Sequence, residues 1–239
     1  MTDDLLVLVP SRGRPQSVQR MVDAWDATDA WDHARLVYVV DADDPTLDSY
    51  FQPVTTDRGL VQLVTLDKWL PLVPKLNQVA TAALRMDPDG FAIAYFGDDH
   101  LPRTVGWAKR YLDALRALGS GFVYCDDGFQ GERLATQFAV TTDVVRALGS
   151  MVPAPVEHLY CDNVVMEIGK ASGALTYLPD VLIEHMHPMA HKAELDEGYA
   201  RFNSADQYAK DGAAFREWAH DPLGLAHAAR TVRALREMT

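Results

Sequence analysis

Along the first hundred residues, short unbroken apolar runs alternate with stretches of helical spacing. "LLVLVP" (5–10), "RLVYVVD" (35–41), "LVQLVTL" (60–66) and "FAIAYF" (91–96) read as buried strands, because short runs with few or no polar residues mark burial on both faces. Between them, "PQSVQRMVDAWDA" places Val18, Met21, Val22 and Trp25 on one helical face. "PKLNQVATAALRM" (74–86) opens on a proline, which suits a first helical turn. Repeated βα units of this kind predict an α/β fold, a largely parallel sheet with helices on both sides. Ligands of such sheets bind beyond the carboxyl ends of the strands.

The second half is less regular. "VGWAKRYLDALRALG" (105–119) is an amphipathic helix closed by glycine, and "TTDVVRALG" a short helix with a threonine or aspartate cap. "GFVYCDD" and "ATQFAVTT" read as strands, "HLYCDNVVMEIGKA" as a helix, and "ALTYLPDVLIEHMHP" as two short strands broken at Leu178-Pro179. Beyond His191 the chain turns polar and helical, in "FNSADQYAKDGAAFREWAHD" and "LAHAARTVRALREM". With no repeat, low-complexity tract or linker, residues 1–191 read as one domain and 192–239 as a helical extension packed on it, serving as an acceptor lid or a dimer contact.

A net charge of −12 without a basic block argues against nonspecific binding to nucleic acid or anionic membrane, though a local groove can still be basic. Cys125 and Cys161 are too few for a disulfide framework and read as buried free thiols, which fits a reducing cytoplasm. "MTDDLLVLVP" is acidic with a short apolar run, unlike a signal peptide, and no window approaches the roughly 20 apolar residues of a membrane span.

Candidate chemistry gathers where the strands end. Asp41, Asp98 and Asp99 each follow a predicted strand, and a parallel sheet brings them to one edge. Asp41 alone reads either as a turn cap or as a ligand-binding group, whereas Gly97-Asp98-Asp99-His100 holds more polar groups than a turn needs. Carboxylates brought together need a cation or donors among them, and their hard oxygens suit Mg²⁺ or Mn²⁺. Arg12 and Arg14 of "VPSRGRPQ" lie at the same edge, where guanidinium groups and a helix N-terminus favour an anion, without the Gly-Lys-Ser/Thr of a Walker loop. Lys75 and Asn77 begin a helix of small apolar residues, and Lys75 there is either a solvated lysine or one that meets an anion. His185 and His187 share one face of an extended "VLIEHMHP" and offer imidazoles to a metal. Asp162, among aromatic and apolar neighbours, has the setting that raises a carboxyl toward general-base service, with a helix cap as the alternative. Tyr38, Trp69 and Trp107 are assigned to core packing ahead of a ligand pocket.

Taken in order over roughly residues 4–190, these pieces resemble a family-two-like glycosyltransferase of the GT-A fold. The resemblance lies in the buried first strand with its "P-S/T-x-x-R" loop (Pro10, Ser11, Arg14), the acidic end of strand two (Asp41), and "YFGDDH" in place of the family's Asp-x-Asp. The third acidic position is histidine here. The pair "GDDHLPRTVGW" and "EHMHP" is similar to small glycosyltransferases of phages and actinobacteria.

The resemblance implies a Rossmann-like sheet, a UDP- or GDP-linked sugar donor, and a Mn²⁺ or Mg²⁺ ion bridging its diphosphate. It places Pro10, Ser11, Arg12, Arg14, Asp41, Lys75, Asn77 and Asp98 at the nucleotide-sugar and Asp99, His185 and His187 at the metal, with Asp98 nearer the ribose. Whether Asp98, Asp99 or His100 meets the metal directly stays open. It also implies an inverting reaction with Asp162 as base, Asp126 and Asp127 being rivals. The acceptor is a protein, a glycan or a modified DNA base, in the host cytoplasm if the chain is phage-encoded. A metal-dependent nucleotidyltransferase is the competing enzyme class, but it needs a glycine-rich first loop, and "PSRGRPQ" has one glycine. A non-catalytic nucleotide-sugar-binding protein is the third reading.

Overall fold

The apolar runs become strands whose two faces feed two separate cores. Along β1 (Leu5–Pro10), Leu5, Val7 and Val9 pack on one side and Leu8 on the other; along β2 (Ala34–Asp41), Leu36, Tyr38 and Val40 oppose Val37 and Val39. This double burial is why neither strand shows polar alternation. The computed structural model describes residues 4–51, 61–192, 194, 199 and 202–238. Leu60 and much of the start of the extension, residues 193, 195–198, 200 and 201, lie outside the described residues.

The remaining strands are β3 (Gln62–Leu66), β4 (Ala92–Tyr95), β5 (His100–Pro102), β6 (Phe122–Asp126), β7 (Phe138–Thr141) and β8 (Leu175–His185), and the sheet order is β3-β2-β1-β4-β7-β6-β8-β5. Strands β3, β2, β1 and β4 run parallel; β7 is antiparallel to β4 and β6, β6 and β8 are parallel, and β5 is antiparallel to β8. The expected largely parallel sheet is therefore present, with two reversed strands.

Helices α1 (Gln16–Asp26) and α4 (Trp107–Leu118) cover one face with Trp25, Trp107 and Tyr111. A four-residue turn, α2 (Leu47–Tyr50), follows β2. The other face is covered by α3 (Leu72–Met86), α5 (Thr142–Leu148), α6 (Cys161–Ser172), α7 (Ala205–His220) and α8 (Leu225–Arg236), whose Trp218, Ala228 and Val232 enter the same core as Val164 and Ile168. The arginines of α8 also close α6: Arg233 and Arg236 donate to the carbonyls of Ala171 and Gly173 at its C-terminal end.

Three expectations change. Strand β3 is an edge strand rather than a doubly buried one, with Gln62 and Thr65 exposed, since no strand among the described residues pairs beyond it. "ALTYLPDVLIEH" forms one strand, and the expected break is a register shift in which β6 partners jump from Leu178 to Leu182 around Pro179. The three-residue β5 has no sequence signal of its own, yet it positions the site.

Candidate active site

The parallel strands β1, β2 and β4 end at one edge, and their loops are tied together by charge. Ser11 Oγ donates to Asp98 Oδ2 (2.6 Å) and Arg14 Nη1 to Asp98 Oδ1 (3.0 Å), so the loop after β4 is locked onto the loop after β1. Both oxygens of Asp98 are thereby occupied; burial raises its pKa against the pull of Arg14. Asp41, at the end of β2, is fully buried, with Lys75 Nζ at 2.7 Å and Arg12 Nη1 at 3.3 Å from its Oδ2. Arg12 is shared with Asp43 Oδ1 at 2.8 Å. A carboxylate so deep requires such partners, because an isolated buried charge costs several kcal/mol.

Past β4 the backbone turns at Gly97, whose N–H donates to His100 Nδ1 (3.0 Å). A Cβ on Gly97 would stand 2.5 Å from Asp99 Oδ1 and 2.6 Å from His100 Nδ1, so glycine is required by close approach. The chain then enters β5, and the antiparallel register sets His100 opposite His185 of β8. Their rings stack at 4.0 Å, and the Met186 N–H donates to the Asp99 carbonyl (2.8 Å), holding the end of β8 against this turn. Asp99, His100 and His185 each bring one donor atom within 4.8 Å of the others. His185 Nε2 lies 3.5 Å from Asp99 Oδ2, and its Nδ1 lies 3.6 Å from Asp127 Oδ2. Burial opposes protonation of His185, but the flanking Asp127 and Asp99 carboxylates outweigh it and raise its pKa to about 9. His100 is held down by burial and by His185, which favours its neutral form. Burial pushes Asp99 up, and the two imidazoles more than reverse that, leaving it well below the usual carboxylate range.

Helix α6 supplies the next group. Tyr160 adopts a left-handed conformation (φ 66°) before the helix, and Asp162 lies in its first turn. Burial raises the pKa of Asp162 against the hydrogen bond its Oδ1 accepts from the Asn163 N–H (2.8 Å). The segment leading into α6 is clamped from α7, where buried Asp211 accepts from the N–H groups of Glu157, His158 and Leu159 at 2.8–2.9 Å. Asp98, Asp99, His100, Asp162 and His185 all line one open cleft of ≈ 410 Å³, together with Pro10, Ser11, Arg12, Arg14 and Lys75. Aromatic side chains form much of the remaining wall. Trp69, Phe202 and His158 stack in sequence (6.3 and 4.3 Å), and Phe129 stacks on His187 (5.2 Å).

No known family model matches this sequence, and no curated protein does either. Solved structures do match the fold. The mannosyltransferase PcManGT from Pyrobaculum calidifontis, in complex with GDP-Man and Mn²⁺, superposes with a TM-score of 0.64 over 98% of this chain and 73% of its own, at 17% identity. S. aureus TarS in complex with UDP-GlcNAc gives 0.62 over 98% and 72%, at 11% identity. A putative nucleotide-diphospho-sugar transferase from Desulfovibrio desulfuricans G20 gives 0.51 over 91% and 98%, also at 11% identity. The chain has the GT-A glycosyltransferase fold.

On the GT-A framework, most of the residues singled out in the sequence reach the cleft, and several stand differently from expectation. Lys75 is neither solvated nor turned to an outside anion; it is buried and paired with Asp41, and Asp41 itself is not on the cleft surface. Asn77 points away from the cleft, spending its amide on the backbone of Val152 (3.0 and 2.9 Å) because the 152–156 segment packs over α3. His187 stands beside the donor cluster rather than in it: β8 ends at His185, and the His187 ring lies edge-on to that of His185 while its Nδ1 accepts from the Met189 N–H. His100 takes the place expected of His187. Asp127 is no free base, since its Oδ1 accepts from the N–H groups of Phe129, Gln130 and Gly131 and its Oδ2 from the hydroxyl of Thr136. Tyr38 and Trp107 are core aromatics as assigned, but Trp69 lines the cleft. Asp211 gave no usable sequence signal, being one acidic residue among many in a polar helix. Both cysteines are buried free thiols, and no described helix is long and apolar enough to cross a membrane.

Proposed function

We propose that this protein is a metal-dependent, inverting glycosyltransferase that moves a sugar from a nucleoside-diphosphate donor to an acceptor hydroxyl. The observation that carries the reading is the meeting, in one cleft of a GT-A fold, of the Asp99–His100–His185 cluster with an isolated carboxylate of raised pKa, Asp162. The PcManGT structure holds GDP-Man with Mn²⁺ and the TarS structure UDP-GlcNAc, so a nucleotide-sugar is the donor class this fold accommodates.

The donor set fits a divalent cation. One carboxylate and two imidazoles suit Mn²⁺ better than Mg²⁺, which prefers an all-oxygen shell. Such an ion, when bound, supplies Lewis-acid neutralisation of the charge that builds on the leaving diphosphate. The chain's own residues do the rest. The Asp98–Ser11–Arg14 and Asp41–Lys75–Arg12 links fix the donor loops in advance, which limits the entropy lost on binding. Asp162 takes the acceptor proton as the acceptor oxygen bonds to the anomeric carbon. The bond from that carbon to the β-phosphate oxygen breaks, and its electron pair leaves with the nucleoside diphosphate.

The test is a thermal-shift panel of UDP, GDP, CMP, TDP and ADP, each with and without Mn²⁺. The expected result is a rise in melting temperature for one diphosphate that requires Mn²⁺ and vanishes in Asp99→Ala. No shift with any diphosphate in any metal condition would overturn the reading.

A further inference from the structure

Among the buried groups that the mechanism above leaves unused is Asp127. Asp127 is fully buried, and among the described residues its ion-pair partner is His185. Its Oδ1 gathers three consecutive N–H groups, those of Phe129 (2.9 Å), Gln130 (2.6 Å) and Gly131 (2.9 Å), and so builds the loop from which Phe129 and Gln130 enter the cleft. Glycines at positive φ, Gly128 (66°) and Gly131 (58°), let the backbone curl around that oxygen. Its Oδ2 accepts from Thr136 Oγ1 (2.8 Å) and faces His185 Nδ1 across 3.6 Å. That nitrogen is buried and has no hydrogen-bond partner, while the opposite nitrogen of the ring faces Asp99. The backbone repeats the link, since the His185 N–H donates to the Asp127 carbonyl (2.9 Å).

We propose that Asp127 is a positioning residue that holds His185 as its Nδ1–H tautomer, presents Nε2 to the cation, and ties that ligand to the 128–131 loop. The inference rests on the metal reading above. A buried N–H must find an acceptor, and Asp127 Oδ2, 3.6 Å from Nδ1, is a carboxylate oxygen that a shift of a few tenths of an ångström would bring within hydrogen-bond range. A histidine that donates one ring N–H to a carboxylate has its lone pair fixed on the other nitrogen, and the contact also makes that nitrogen a better donor to a metal. Because the same carboxylate organises the loop, displacement of the loop and loss of the ligand's orientation are one event. The cleft wall carrying Phe129 is then in register with the metal site.

The experiment is an electron paramagnetic resonance titration of Mn²⁺ into the wild-type protein, Asp127→Asn and Asp126→Ala. Asp126 Oδ1 accepts from the Gly128 N–H (2.8 Å), so its loss disturbs the same loop without touching His185. The expected result is a rise of about 10–100-fold in the Mn²⁺ dissociation constant for Asp127→Asn, the usual cost of losing such a partner, and less than a threefold rise for Asp126→Ala. Equal affinities of wild type and folded Asp127→Asn, or equal losses in both variants, would reduce Asp127 to a loop anchor and overturn the proposal. If Asp127→Asn does not fold, ¹⁵N NMR of the wild-type histidines loaded with diamagnetic Zn²⁺ decides. A protonated Nδ1 and a metal-bound Nε2 on His185 support the assignment, and the reverse tautomer defeats it. Failure of the wild type to bind any Mn²⁺ is a separate result, which removes the metal reading and this inference with it.

Discussion

Lys75→Met tests how the donor edge is held together. The Lys75 ammonium is 2.7 Å from the Oδ2 atom of Asp41, and the two side chains are 5% and 0% exposed. At that distance, and an effective dielectric of about 20, the pair attraction is about 6 kcal/mol before desolvation is subtracted. Methionine keeps most of the apolar stem, so the hydrophobic contribution of the site nearly cancels in the comparison. What remains is Asp41 with Arg12, at 3.3 Å on the same oxygen, while Oδ1 has no hydrogen-bond partner among the described residues. Breaking a buried pair costs about 3–5 kcal/mol, and the surviving arginine puts this case near the lower end, about 3 kcal/mol. For a chain of this size, that corresponds to a melting temperature lower by roughly 6–12 °C. Urea denaturation of Lys75→Met, Asp41→Asn and the double variant measures it. The double variant is expected to be more stable than Lys75→Met, because removing both charges leaves none unpartnered in the interior. A loss under about 0.5 kcal/mol in Lys75→Met, or strict additivity in the cycle, would refute the buried pair and return Lys75 to the solvated or anion-facing role that its sequence position suggests.

Other expectations follow from the same geometry. Gly97→Ala puts a methyl where Asp99 Oδ1 and His100 Nδ1 now stand, so the Mn²⁺-dependent part of the nucleotide thermal shift is expected to disappear while the fold persists; an intact increment would show that the donor cluster is not the metal site. Asp162→Asn is expected to reduce transfer to the acceptor by about 10²–10⁴-fold with the nucleotide shift preserved, measured by single-turnover kinetics, and a wild-type rate would remove it as base. His158 is held near pKa 4 by burial and Lys75, against the pull of Asp211, so the folded state resists its protonation. Above pH 6.5 it is neutral in both states and adds nothing; as pH falls from there through about 4, only the unfolded chain takes the proton, and stability drops by up to about 3 kcal/mol. His158→Phe keeps a ring against Phe202 and is expected to flatten that limb of a urea-midpoint profile, while an unchanged profile would mean that His158 titrates as if in water.

What the sequence made legible follows from which forces are local. The strands β1, β2 and β4 were readable because double burial leaves uninterrupted apolar runs, and parallel pairing then brings Asp41, Asp98 and Asp99 to one edge with no further information. The His100–His185 pairing was not readable. It depends on a three-residue strand whose register is set by a partner 85 residues later in the chain, and three residues are too few to show a period. The same gap separates a charge from its partner. Lys75 looked like a solvated or anion-seeking lysine because helix position is local, whereas the Asp41 that neutralises it comes from another strand. Asp126 and Asp127 look like alternative bases because adjacent aspartates are alike in a sequence; only the curl of the 128–131 loop shows three backbone donors gathered on one oxygen of Asp127.

The same comparison explains why Asp162 is the better candidate for proton transfer. A general base must be free of strong donors in its resting state, near the reacting atoms, and raised in pKa. Asp98 has both oxygens taken by Ser11 and Arg14, Asp99 faces two imidazoles that hold it ionised, and Asp127 has both oxygens engaged by loop N–H groups and Thr136. Among the described residues, Asp162 accepts from its neighbour's backbone N–H, and burial works toward protonation. On the proposed reading, four aspartates in or beside one cleft divide into a loop lock, a cation ligand, a histidine holder and a base, and the donors each one meets support that division.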